Sequence, residues 1–225
     1  MARFSISSCA LALSLMFGTV STAQAGTIPY GPKNDVSNAT VASWGWTQKY
    51  AGAYGQFDVN IASLFAGIKP TDFVMIGGRR VGSGVVDVLA AARLSDILMQ
   101  TAQNVTHQAN GAEWYSNGYS MGFAGLGDRI SQFSADTNGM NERDRLSWHT
   151  SAFFGSGYRQ DPSRPAVEIE GGWRSGTNAG LNNSTSWERV VWVQQATPEP
   201  HEWILIAMAL GGLAFFYRRQ QTVLG

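Results

Sequence analysis

Asp72-Phe73-Val74-Met75-Ile76, then Gly82-Ser83-Gly84, then Val85-Val86-Asp87-Val88-Leu89-Ala90 is the stretch from which the fold is read. The first run is apolar and of strand length. The glycines supply a turn, and the second run returns as an antiparallel partner. The intervening Gly77-Gly78-Arg79-Arg80 lacks both the G-x-G-x-x-G spacing and a G-K-[ST] ending, so the segment is read as a hairpin and not as a nucleotide loop.

Working outward, Ala166-Val167-Glu168-Ile169-Glu170 alternates apolar and polar. Trp187 to Val193 reads as a last strand. Turn signals recur, among them Gly77-Gly78, Asn110-Gly111, Asn117-Gly118, Gly171-Gly172 and Asn182-Asn183. Many short strands separated by Asn/Gly turns predict a mainly β body, an antiparallel β-sandwich. Two segments carry helical spacing, Val59 to Ile68 and Ala90 to Ala102, so one or two short helices are expected on it.

The chain has 225 residues, with 16 basic and 16 acidic side chains and 8 Trp. A neutral balance speaks against a nucleic-acid partner, which would call for a basic face. The hydrophobic share of 44% speaks against wholesale disorder.

The two ends read as addresses. Arg3, an apolar run from Cys9 to Phe17 and the small-residue site Ala23-Gln24-Ala25 make a secretory signal peptide over residues 1–25. Cys9 is the only cysteine, so the mature chain holds none and needs a core or metal ions in place of disulfides. Residues 26–196 form the body. Residues 197–225 begin with Thr197-Pro198-Glu199-Pro200. An apolar helix-like stretch follows from Trp203 to Tyr217, and then Arg218-Arg219. Fifteen apolar residues rise about 22 Å, and snorkelling ends bring this near a hydrocarbon core of about 30 Å. The Arg pair is a basic stop that leaves the body outside.

Pro198-Glu199-Pro200, a helix containing Gly211-Gly212, and Arg218-Arg219 together resemble the PEP-CTERM sorting signal of Gram-negative bacteria. The resemblance covers the tail and the signal peptide. His201-Glu202 and the extension Gln220 to Gly225 depart from its usual form. It implies an exosortase, a membrane transpeptidase, as partner, with processing near Pro198, Glu199 and Pro200. Residues 203–217 would hold the precursor in the inner membrane and Arg218 and Arg219 would stop it there. The protein would then reach the cell surface or the medium. It further implies a non-catalytic structural or adhesive role linked to exopolysaccharide or biofilm.

Within the body, Gly118-Tyr119-Ser120-Met121-Gly122 matches G-x-S-x-G, with His149 and intervening Asp128, Asp136 and Asp144 downstream. A hydrolase elbow needs a buried strand before the serine and a helix after it. Trp114-Tyr115-Ser116-Asn117 and Phe123-Ala124-Gly125-Leu126-Gly127 read as neither, so no catalytic residue is assigned and a secreted serine hydrolase stays the third reading. Asp136 to Asp144 gathers oxygen ligands for calcium, but its glycine falls at the wrong place for a standard loop. No cofactor is assigned. Zinc is not expected, because His107 and His149 belong to no spaced pair and no cysteine is present in the body.

Aromatic usage suggests a second role. Trp44 and Trp46, with Trp114 and Tyr115, are candidate platforms for sugar rings in a carbohydrate-binding module for exopolysaccharide. The same residues suit a β core equally well. Exposure of their rings separates the two readings.

Overall fold

The computed structural model describes residues 26–102, 104–130, 135–136, 141–151 and 165–194. The body is mainly β, in two antiparallel sheets. Its strands are β1 (Lys33–Ser37), β2 (Thr47–Ala53), β3 (Val59–Asn60), β4 (Phe73–Arg80), β5 (Val85–Arg93), β6 (His107–Ala109), β7 (Ala112–Ser116), β8 (Ser120–Gly125), β9 (Leu146–Ser151), β10 (Glu168–Ser175) and β11 (Trp187–Gln194). One sheet has the order β1-β5-β4-β11-β2 and the other β3-β10-β9-β8-β7-β6.

The opening stretch forms the β4–β5 hairpin, with Ile76 opposite Ala90 and Gly78 opposite Val88. Its near-continuous apolar run follows from burial on both faces. Val74, Ile76, Val88 and Ala90 join a cluster that also takes Trp114, Met121, Phe123, Leu146 and Trp148 from the other sheet. Met75, Leu89 and Ala91 point the opposite way, to Val41, Trp46, Val190 and Trp192. A third apolar group, Tyr115, Ala124, Ile130 and Ala135, lies apart from these two.

Gly77 and Gly78 lie inside β4, where the sequence suggested a turn. Gly78 is required there because a Cβ would fall 2.5 Å from both Tyr54 Oη and Ser175 Oγ. The expected helix from Ala90 is instead the end of β5, with only α3 (Leu94–Ile97) following it. Pairing with β4 overrides helical spacing there, because Ala90 and Ala92 face one cluster while Leu89 and Ala91 face the other. Within Val59 to Ile68 a single turn forms, α2 (Ile61–Leu64), capped by Asn60 Oδ1 accepting from Ser63 N at 2.9 Å. A helix the sequence did not announce, α1 (Asn38–Ser43), begins at a Ser37 side chain that accepts from Thr40 N at 3.0 Å. It lays Val41 on the outer cluster.

Two polar links tie the sheets together. Arg189, on β11 and without exposed surface, donates to Gly171 O of β10 at 3.3 Å, and also to Ala53 O and Gln56 O. Ser175 Oγ on β10 donates to Asp87 Oδ2 on β5 at 2.8 Å. No helix among the described residues is long and apolar enough to cross a membrane. The signal peptide and sorting tail lie outside those residues.

Candidate functional site

Strands β8 and β9 bring Ser120 directly opposite His149. Thr150 N donates to Tyr119 O at 2.9 Å, which makes this a non-hydrogen-bonded pair. In such pairs the Cα atoms stand about 4.5 Å apart and the side chains share one face. On that face His149 Nε2 lies 3.2 Å from Asp136 Oδ2, and its ring stacks on Trp173 at 5.7 Å and 12°. Serine, histidine and aspartate are therefore neighbours, although 29 residues separate the first from the last of the sequence positions, Ser120 and His149.

The surroundings are a polar layer. Arg174 donates to Asp136 O from Nε at 3.2 Å and Nη2 at 2.9 Å, and its Nη1 lies 3.8 Å from Glu142 Oε2. Arg145, fully buried, pairs with Asp128 at 2.9 Å and donates to the carbonyls of Ala135 and Arg129. The Tyr115 hydroxyl accepts from Ala135 N at 2.9 Å and donates to Leu146 O at 3.4 Å. Burial pushes the Tyr115 phenol above its ordinary range, with the Asp136 carboxylate adding to the shift. Burial likewise lowers the Arg174 guanidinium, against the opposing pull of Glu142.

This arrangement differs from a hydrolase site in three ways. Ser120 is 1% exposed, so a carbonyl carbon has no path to its hydroxyl. His149 turns Nε2 to the carboxylate, which leaves only Nδ1 for a serine. Strand β8 follows Ser120 where an elbow needs a helix. The strand before it, β7, is fully buried, which the sequence did not suggest. In this geometry the layer acts as a clamp, with Arg145 and Arg174 holding Asp128, Arg129, Ala135 and Asp136.

The aromatic candidates are placed differently from a sugar platform. Trp46 is 5% exposed, and Trp114 and Tyr115 have no exposed surface. Trp46 Nε1 donates to Thr27 O at 2.9 Å and Trp114 Nε1 to Ala109 O at 3.0 Å, so both indoles are satisfied inside. Trp44 is half-buried against the outer cluster. The structure thus corrects the idea that these rings are displayed. Trp114 fills the cluster between the sheets, Trp46 the outer cluster and Tyr115 the third apolar group. Trp173, which the sequence did not single out, is half-buried beside His149.

The calcium candidates do not converge among the described residues. Asp144 accepts from Asn34 at 2.7 Å and from Asn141 at 2.6 Å, Glu142 faces Arg174, and Asp136 faces His149. Asp58, Glu168 and Glu170 do meet, each offering a carboxylate oxygen within 4.8 Å of the others. Alternation along β10 puts the two glutamates on one face. Asp58 comes from the far side of the sequence, and no local pattern announces it.

The chain enters and leaves the body at one place. Thr27 N and Gln194 Nε2 both donate to Trp44 O, at 3.0 Å and 2.9 Å. Gln194 ends the last strand, four positions before Pro198. Pro198, Glu199, Pro200, Arg218 and Arg219 lie outside the described residues. No protein-family model, curated protein or solved structure matches the chain.

Proposed function

We propose that this is an exported cell-surface or matrix protein, a substrate of an exosortase with a non-catalytic β-sandwich body. The observation that carries the reading is the three-part tail: Pro198-Glu199-Pro200, the apolar run from Trp203 to Tyr217, and Arg218-Arg219. The body supports it. Its first hydrogen-bonded residue, Thr27, and its last strand residue, Gln194, lie just inside the two addresses and beside each other. The signal and the membrane helix therefore border the body on a single side, and the helix can tether it there once the signal is removed. Both sheets contribute side chains to one apolar cluster, the arrangement that a sandwich needs. With Ser120 enclosed, a role as structural or adhesive module suits the body better than catalysis.

Replacing Pro198, Glu199 and Pro200 together by Ala tests the reading. The altered chain should accumulate in the inner membrane at full tail length while the natural chain is found outside it. Equal distribution of the two would speak against processing at this motif.

Trp173 favours a second reading, glycan binding. Its half-buried ring stands near the half-buried carboxylate of Asp136, which joins an apolar ring to a hydroxyl acceptor. Titration of the protein with exopolysaccharide should then show saturation that Trp173→Ala removes and Trp44→Ala leaves in place.

A further inference from the structure

We propose that the end of the body where the chain enters and leaves is a docking face for anionic lipid headgroups. The proposal rests on the membrane-tether reading of the tail.

Register fixes which residues share this end. Arg93 pairs with Phe73, and Phe73 with Gln194. Val193, one residue earlier, pairs with Thr47 at the start of β2. Arg93 is exposed there, with its guanidinium 5.0 Å over the Phe73 ring and Nη1 donating to Thr71 O at 2.7 Å. Lys49 is exposed on the edge strand two positions along, and its Nζ donates to Ala66 O at 3.0 Å. Lys69 is exposed in the same loop. The acidic groups at this end are withdrawn. Asp72 is 7% exposed and its Oδ2 accepts from Lys69 N at 2.9 Å, and Asp96 is half-buried.

The other end is mixed in charge, with Arg80 exposed at the end of β4. There the β4–β5 turn closes, and Asp58, Glu168 and Glu170 gather past the far end of β2. The basic end is also the one that the tail holds down. Trp203 lies nine positions after Gln194, a reach of at most about 30 Å when extended. Cations held so near a membrane lie where an anionic surface attracts them, and the attraction fades within about a Debye length.

The test uses the signal-cleaved precursor, Gly26 to Gly225, reconstituted through its tail. Two sets of vesicles are compared, phosphatidylcholine alone and phosphatidylcholine with phosphatidylglycerol, each carrying a headgroup quencher. This precursor has no cysteine, so a single fluorophore can be placed by Ala66→Cys at the basic end or by Val81→Cys at the other. The Ala66 probe should be quenched several-fold more strongly in anionic vesicles, because the cations beside it are drawn to the charged surface. High salt should erase the difference, and so should the combined Lys49→Gln, Lys69→Gln and Arg93→Gln change. The Val81 probe should respond to neither. Equal quenching at Ala66 in both lipids, or equal quenching at Ala66 and Val81, would overturn the docking face. A chain that floats with neither set of vesicles would overturn the tether reading, and the docking face with it.

Discussion

Arg145, with no exposed surface, donates from Nε to Asp128 Oδ2 at 2.9 Å. The same guanidinium reaches the carbonyls of Ala135 and Arg129, so one buried cation gathers three residues, Asp128, Arg129 and Ala135. Breaking such a pair leaves a charge buried without its counterion, and the cost is about 3–5 kcal/mol. Asp128→Ala should therefore lower the urea midpoint sharply. Asp35→Asn removes the charge of the exposed partner of Arg143, whose side chain is 58% exposed, keeps a residue that tolerates the left-handed backbone there, and should change the midpoint hardly at all. Similar losses from the two changes would contradict this account of the clamp.

Asp87 links the sheets through Ser175, and burial raises its carboxyl above the ordinary value, with the nearby Asp35 carboxylate adding to this. A folded-state value above the unfolded one means that the protonated form is favoured by folding. That contribution is complete below about pH 4 and is lost as pH rises through the folded value. Asp87→Asn keeps an acceptor for Ser175 and removes the charge. It should be more stable than the natural chain at neutral pH, with the advantage shrinking toward pH 4. Thermal unfolding across that range checks it, and an advantage that grows on acidification would be the wrong sign.

Trp114 is enclosed by both sheets, with its ring 5.3 Å from Phe123. Trp114→Ala should cost about 3–5 kcal/mol, the usual range for emptying an aromatic site. Trp44→Ala, at a half-buried position, should cost clearly less. Denaturant titration of the two variants separates core from surface roles, and near-equal costs would put the placement of Trp114 in question.

A Cβ on Gly172 would lie 2.1 Å from Tyr54 Cδ1, while one on Gly84 would meet nothing within 4 Å. Gly172→Ala should destabilise by about 1–3 kcal/mol through overpacking. Gly84→Ala should be neutral or slightly stabilising. A stable Gly172→Ala protein would mean that Tyr54 can move aside.

The β4–β5 hairpin was legible because its apolar runs and Gly-Ser-Gly turn are local signals. Gly77-Gly78 misled for a physical reason: glycine marks turns, but it also marks places where another side chain comes close, and Tyr54 and Ser175 are distant in sequence. Helical spacing at Ala90 gave way to strand pairing, since both faces of β5 are buried. The Ser120–His149 register and the Asp58, Glu168 and Glu170 group depend on strand order, which periodicity does not encode. Burial of Trp46, Trp114 and Tyr115 was equally hidden, because an aromatic reads the same in a core and on a binding face.

Intact mass spectrometry of the protein from its own cells, with and without a working exosortase, bears most directly on the proposed function. With the enzyme, the chain should start at Gly26 and lack the run from Trp203 to Arg219. Without it, the chain should keep every residue to Gly225. A tail retained in both cells, or lost in both, would contradict processing by an exosortase.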